Sequence, residues 1–109
     1  MKKQKYKVFR AKDAVKLKGF LDGLFNKTPR DHYIIKMVEK EIPFHAFLKI
    51  LEPFMNKIEW YTKEKSLVFV REDYDPDEIP EGISIAPSEL EASDIIDFEE
   101  IERELGLNE

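Results

Sequence analysis

Cysteine is absent, glutamine occurs once at Gln4, and the four glycines (Gly19, Gly23, Gly82 and Gly106) stand isolated. Without cysteine there is no disulfide, no thiolate metal site and no cysteine nucleophile. That composition fits a reducing cytoplasm. Without clustered glycines there is no loop to cradle a phosphate. Only two histidines occur, His32 and His45, and neither has the neighbours of a metal motif or a catalytic triad. No apolar run of signal-peptide or membrane-spanning length follows the basic start Met1–Lys5. These absences predict a cytoplasmic, non-enzymatic protein that holds no cofactor and no metal.

Two acidic patterns are tested and excluded as chemistry. Asp73, Asp75 and Asp77 alternate as in a calcium loop, which needs Gly at its sixth position and Glu at its twelfth. Those positions hold Glu78 and Ser84. The paired carboxylates further on lack the rigid, divergent environments that acid–base catalysis requires.

What is present is a core and a charge polarity. Of 109 residues, 42% are hydrophobic, including eight phenylalanines, enough for one folded domain. Lys, Glu and Ile are abundant, a bias shared by thermophiles and AT-rich genomes. Through Arg71 there are 17 Lys/Arg against 8 Asp/Glu, a net of +9; from Glu72 there is Arg103 alone against 15 acids, a net of −14. Such asymmetry points to nucleic-acid contact or an interaction tail, or simply to solvated surfaces.

Along the chain, residues 6–10 read as a strand and 11–25 as a helix with Ala14, Leu17, Leu21 and Leu24 at helical spacing. Gly19 and Gly23 weaken that helix. Thr28 and Pro29 are placed to start a second helix running to about Glu41, with Ile34, Met37 and Val38 inward. A third is expected from Pro43 to about Met55, kinked or stopped near Glu52 by Pro53. Ile58–Tyr61 and Ser66–Arg71 read as two strands of a hairpin. Residues 73–82 form an acidic, proline-containing connector, and 83–86 a brief extended contact. A last helix is capped by Ser88 or Ser93 and ended by Gly106, with Ile95, Phe98, Ile101 and Leu105 on one face.

The order helix, helix, helix, hairpin over about Ala11 to Arg71 resembles winged helix-turn-helix domains. The stretch Ile35–Leu48 has roughly that family's apolar spacing, and Ile58–Tyr61 with Leu67–Val70 occupies the wing's place. The resemblance implies an α+β fold, a three-helix core with a β-hairpin, carrying an acidic linker and an amphipathic helix. The domain plan is then a basic head at 1–71, a connector at 72–87 and an acidic helix at 88–109. It also implies DNA or RNA as partner, with the third helix in the major groove. His45, Lys49 and Asn56 would face the groove. Lys63 and Lys65 at the hairpin tip would meet phosphates, with Lys2, Lys3, Lys5 and Lys7 from the N-terminal arm. Two features depart from the pattern. The groove helix carries a single lysine and Glu52, and its all-round apolar surface equally suits a buried helix or one face of a homodimer.

Two functions follow as expectations. The first is a small nucleic-acid-associated regulator whose acidic C-terminal helix damps binding or engages a protein through Ile95, Phe98, Ile101 and Leu105. The second is an acidic inhibitor or adaptor, of the kind carried by viruses and mobile elements, that occupies a basic site on another protein. In a third arrangement the acidic helix simply packs on its own domain.

Overall fold

The structure, a computed structural model, describes residues 5–106. It is a four-stranded sheet with helices on both faces. The strands are β1 (Tyr6–Ala11), β2 (His32–Met37), β3 (Leu67–Val70) and β4 (Ser84–Ala86), in the order β1-β2-β3-β4. Every neighbouring pair is parallel. Parallel neighbours require crossovers, and two of them are helical. α1 (Ala14–Leu24) links β1 to β2, and α2 (Phe44–Leu51) with α3 (Met55–Thr62) links β2 to β3. The third crossover, from β3 to β4, contains only a 3-10 turn at Pro76–Glu78. α4 (Glu89–Leu105) follows β4.

This overturns the winged-helix expectation. There is no hairpin, because β3 pairs in parallel with β2 and β4 and no strand precedes it within residues 58–61. Residues 32–37, expected as helix, form the inner strand β2. The tetrad Ile58–Tyr61, expected as strand, lies in α3, where Ile58 and Tyr61 are buried one turn apart. Pro53 acts as expected: α2 stops at Leu51 and Glu52–Phe54 tightens into a 3-10 turn before α3.

Strand alternation sorts the core into two layers. Ile35, Met37, Leu67 and Phe69 point to the face covered by α1, α2 and α3, where Leu17, Leu21, Phe47, Leu51 and Ile58 meet them. Ile34, Val68, Val70 and Ala86 point to the other face, where Ala92 and Ile96 of α4 close over them. Both faces of β2 and β3 are therefore buried, as inner parallel strands require.

Local signals fix the ends of the helices. Asp13 accepts the N–H of Lys16 at 2.9 Å to cap α1, and Ser88 accepts the N–H of Glu91 at 3.2 Å to cap α4. Gly106 closes α4 in the left-handed region at φ 73°. In α1, Gly19 and Gly23 each cost about 1 kcal/mol relative to alanine, yet a Cβ at either would meet no atom within 4 Å.

Because strand order follows chain order, the charge polarity of the sequence becomes spatial. The β1 edge carries Lys7 and Arg10, flanked by Lys5 and Lys12. The connection leading to the β4 edge carries Glu72, Asp73, Asp75, Asp77, Glu78 and Glu81. No helix among the described residues is long and apolar enough to cross a membrane.

Candidate protein-binding face

α4 has two opposite apolar faces. At 100° per residue, Ala92 and Ile96 fall on the side against the sheet, where both are fully buried. Leu90, Phe98, Ile101 and Leu105 fall on the far side and are 74%, 62%, 53% and 67% exposed. A helix seated on a sheet ordinarily turns polar residues outward, whereas this second stripe is apolar and stands outside both core clusters.

The acids of α4 divide in the same way. Inward-leaning carboxylates are engaged by the chain itself. Glu89 accepts the Tyr6 hydroxyl at 2.9 Å and Lys36 Nζ at 3.1 Å. Glu99 accepts the Ser84 hydroxyl at 2.8 Å; Asp97, at the edge of the outward stripe, is the exception among the outer acids and pairs with Lys5. Glu100 accepts from His32 at 2.8 Å. Hydrogen bonds from Tyr6 and then Lys36 hold the Glu89 carboxyl below the ordinary carboxylate range, and the His32 hydrogen bond does the same for Glu100. Arg103, the only cation of the helix, also turns inward, donating to the Thr62 carbonyl at 3.2 Å and to Ser66 Oγ at 2.8 Å. Glu91, Asp94, Glu102 and Glu104 make no ion pair among the described residues. Asp94 lies within the outward stripe and the other three border it. The outer face is thus apolar and acidic, and among the described residues only Asp97 of its acids is compensated.

Of the four residues expected to bind a partner, Phe98, Ile101 and Leu105 lie on this open face. Ile95 is instead half-buried against the inner core. Leu90 extends the stripe by two turns and was missed; its signal was the spacing to Phe98, Ile101 and Leu105 with Ala92 and Ile96 opposite.

The residues expected to bind nucleic acid are scattered. Lys2 and Lys3 lie outside the described residues. Lys5 and Lys7 flank and enter β1, paired with Asp97 and with Asp31, the latter at 3.4 Å. Lys63 and Lys65 sit in the turn from α3 to β3, interleaved with Glu64, Glu100, Arg103 and Glu104 around one shallow recess. His45 and Lys49 are on α2, whose start lies at the opposite, carboxyl end of the sheet, and His45 Nε2 is 3.1 Å from Glu78 Oε1. Asn56 is the second residue of α3, beyond the break at Pro53.

The carboxyl ends of parallel strands commonly build ligand sites. Here that position is taken by Arg71, whose side chain is fully buried. Its guanidinium lies 5.7 Å and 5.4 Å from the ring centroids of Phe44 and Phe47, and Nη1 donates to Met37 Sδ at 3.3 Å. Nε donates to Asp73 Oδ1 at 2.8 Å. Nη2 stands 2.7 Å from the same oxygen but out of line for a hydrogen bond, so that contact is ionic only. Arg71 is a clamp joining α2, β2 and the acidic connection. Its donors are turned on its own chain.

No protein-family model, curated protein or solved structure matches this chain. Function therefore rests on the chain's own geometry.

Proposed function

We propose that this protein is a non-enzymatic binding module that captures a basic amphipathic helix of another protein on the outer face of α4. The observation that carries this reading is the second apolar stripe, Leu90, Phe98, Ile101 and Leu105, set among Glu91, Asp94, Glu102 and Glu104, which are unpaired among the described residues. Helix recognition proceeds through anchors at such spacing. The acids select a basic partner, speeding encounter and rejecting acidic competitors. A second copy of the chain is a poor occupant, since pairing two such faces would oppose like charges.

The test is a titration of the full chain, followed by amide NMR, with a synthetic Leu/Lys amphipathic helix and with its Leu/Glu counterpart. The basic peptide is expected to shift resonances along 90–105, more weakly as salt rises, and to lose binding at least tenfold in Phe98→Asp/Ile101→Asp. Absence of binding, equal binding of the acidic peptide, or binding unaffected by the double variant would overturn the reading.

A nucleic-acid role would have to rest on the β1 edge, with Lys7 and Arg10. A labelled duplex titrated across a salt series tests it, and binding without salt dependence would count against it.

A further inference from the structure

On the other side of the sheet, beside α1, lies a recess of about 800 Å³, within the range of small-molecule sites. Its walls are the half-buried rings of Phe20 and Tyr33, with Tyr61 buried below them. Phe20 is stacked on Phe9 with centroids 4.0 Å apart and meets Tyr33 edge-on at 5.2 Å, so the aromatic wall is braced from behind. The α1 side is lined by Gly19 and Gly23, one turn apart. The rim carries Lys7, Lys27, Thr28, Arg30 and Asp31. Asp31, the only carboxylate there, is paired with Lys7. Lys27 and Arg30 make no ion pair or side-chain hydrogen bond among the described residues.

The two glycines are the pointed observation. Both sit within a helix that they weaken, neither has a positive φ, and neither is crowded. Packing therefore gives no reason for them. Their common property is that both are exposed and line the recess, so its α1 wall is bare backbone. A recess with a bare backbone wall, opposite aromatic rings and beside two cations unpaired among the described residues, matches a ligand that is flat at one end and anionic at the other.

We infer that the recess between α1, β2 and the 25–31 loop binds a small aromatic anion of nucleoside-monophosphate type. The ring lies against Phe20 and Tyr33 over the bare glycine face. The phosphate is taken by Lys27 and Arg30, which gives charge-assisted and, with arginine, bidentate contacts.

The experiment is amide NMR titration of the full chain with AMP, with adenosine and with inorganic phosphate, separately. AMP is expected to shift resonances of residues 19–33 and to bind at least tenfold more tightly than either fragment. Lys27→Ala/Arg30→Ala, on exposed positions, should weaken AMP at least tenfold. Gly23→Leu should abolish binding while leaving the melting temperature at or above that of the parent, and Gly19→Leu provides the same test at the neighbouring turn. AMP binding no tighter than phosphate, shifts lying elsewhere, or full affinity in a folded glycine variant would each overturn the assignment.

Discussion

His32 Nδ1 accepts the backbone N–H of Ser66 at 2.8 Å, while its Nε2 lies 2.8 Å from Glu100 Oε2. A backbone N–H can only donate, so Nδ1 carries no proton and Nε2–H donates to Glu100. One buried imidazole thus ties the start of β2 to the α3–β3 turn and to α4. Both nitrogens are occupied, which leaves none to move a proton to a substrate. Glu100→Ala, which strands the buried Nε2–H, should cost about 1–3 kcal/mol in urea unfolding. Glu100→Gln can still accept and should recover most of the loss. Equal destabilisation by the two variants would refute the hydrogen-bond account.

The same contact sets a response to acid. Glu89 and Glu100 both have carboxyl pKa values lowered by folding, through Tyr6 and Lys36 for the first and His32 for the second. A lowered carboxylate contributes stability that is present above its unfolded value, about 4.5 here, and is lost as pH falls through its folded value. The protein should therefore lose stability below about pH 4.5, by less in Glu89→Gln/Glu100→Gln than in the parent. Both groups grip β2 from α4, so amide exchange should open α4 first. An acid-unfolding midpoint unchanged in the double variant would rule out these two groups as its cause.

How much of this was legible in the sequence follows from what each segment had to bury. β1, α1, β3 and the stop at Gly106 announced themselves, because local chemistry decides them, and of the two caps the sequence left open, Ser88 and Ser93, the structure uses Ser88. The segment His32–Met37 did not. Its Ile34 and Ile35 are buried on opposite faces of the sheet, so the alternation that marks a half-buried strand is missing. With Thr28–Pro29 ahead of it, the run read as a helix. Ile58–Tyr61 erred in the opposite sense: four residues, three of them β-leaning, are too short to carry a period, and the helix was decided by Phe54, Ile58 and Tyr61 reaching one core. Two reversals turned a parallel sheet into three helices and a wing. On α4 the outward stripe was visible, but the inward face of Ala92 and Ile96 was not weighed, since an alanine and one isoleucine among acids make a faint signal.

Tyr61 marks a site of alkaline sensitivity. Its hydroxyl donates to the Asp31 carbonyl at 2.6 Å, and burial, with lesser contributions from Tyr33 and Asp31, pushes its pKa from 10.0 up to about 12. A raised tyrosine pKa contributes stability in full below 10.0 that disappears as pH rises through about 12. Tyr61→Phe should lose about 1 kcal/mol at neutral pH. In return, that variant should show a shallower stability decline between pH 10 and 12. Phenolate absorbance should lose a component ionising near pH 12 in Tyr61→Phe, while Tyr6, raised by burial and its bond to Glu89, stays late in both; identical alkaline titrations would contradict the assignment.

Arg71 and Asp73 offer a graded test of the clamp at the carboxyl end of the sheet. Removing one partner of a fully buried ion pair costs about 3–5 kcal/mol, but Asp73 is more than half exposed, and water screens what it leaves behind. Asp73→Ala should therefore cost about 2 kcal/mol. Arg71→Lys keeps the charge but loses the stacking of a planar group on Phe44 and Phe47, so it should not behave as a conservative change. Thermal unfolding that ranks Arg71→Lys with the parent would show the ring contacts to be incidental.

The two faces of α4 should separate cleanly under substitution. Ile96 is fully buried against Ile34 and Val68, so Ile96→Ala should cost about 2–5 kcal/mol by the methylenes lost and the cavity left. Phe98 and Ile101 are more than half exposed and belong to neither core cluster, so Phe98→Asp or Ile101→Asp should change stability by no more than about 0.5 kcal/mol. Added charge on the outer face should, if anything, raise solubility by shrinking an exposed apolar patch. The same two substitutions should remove capture of a basic amphipathic helix, whereas Ile96→Ala should retain it whenever the chain is folded. A helix that served only to cover the sheet would have no binding to lose at Phe98 and Ile101. Measuring stability and peptide affinity on the same three variants decides between these outcomes, since only a binding face makes affinity fall where stability does not.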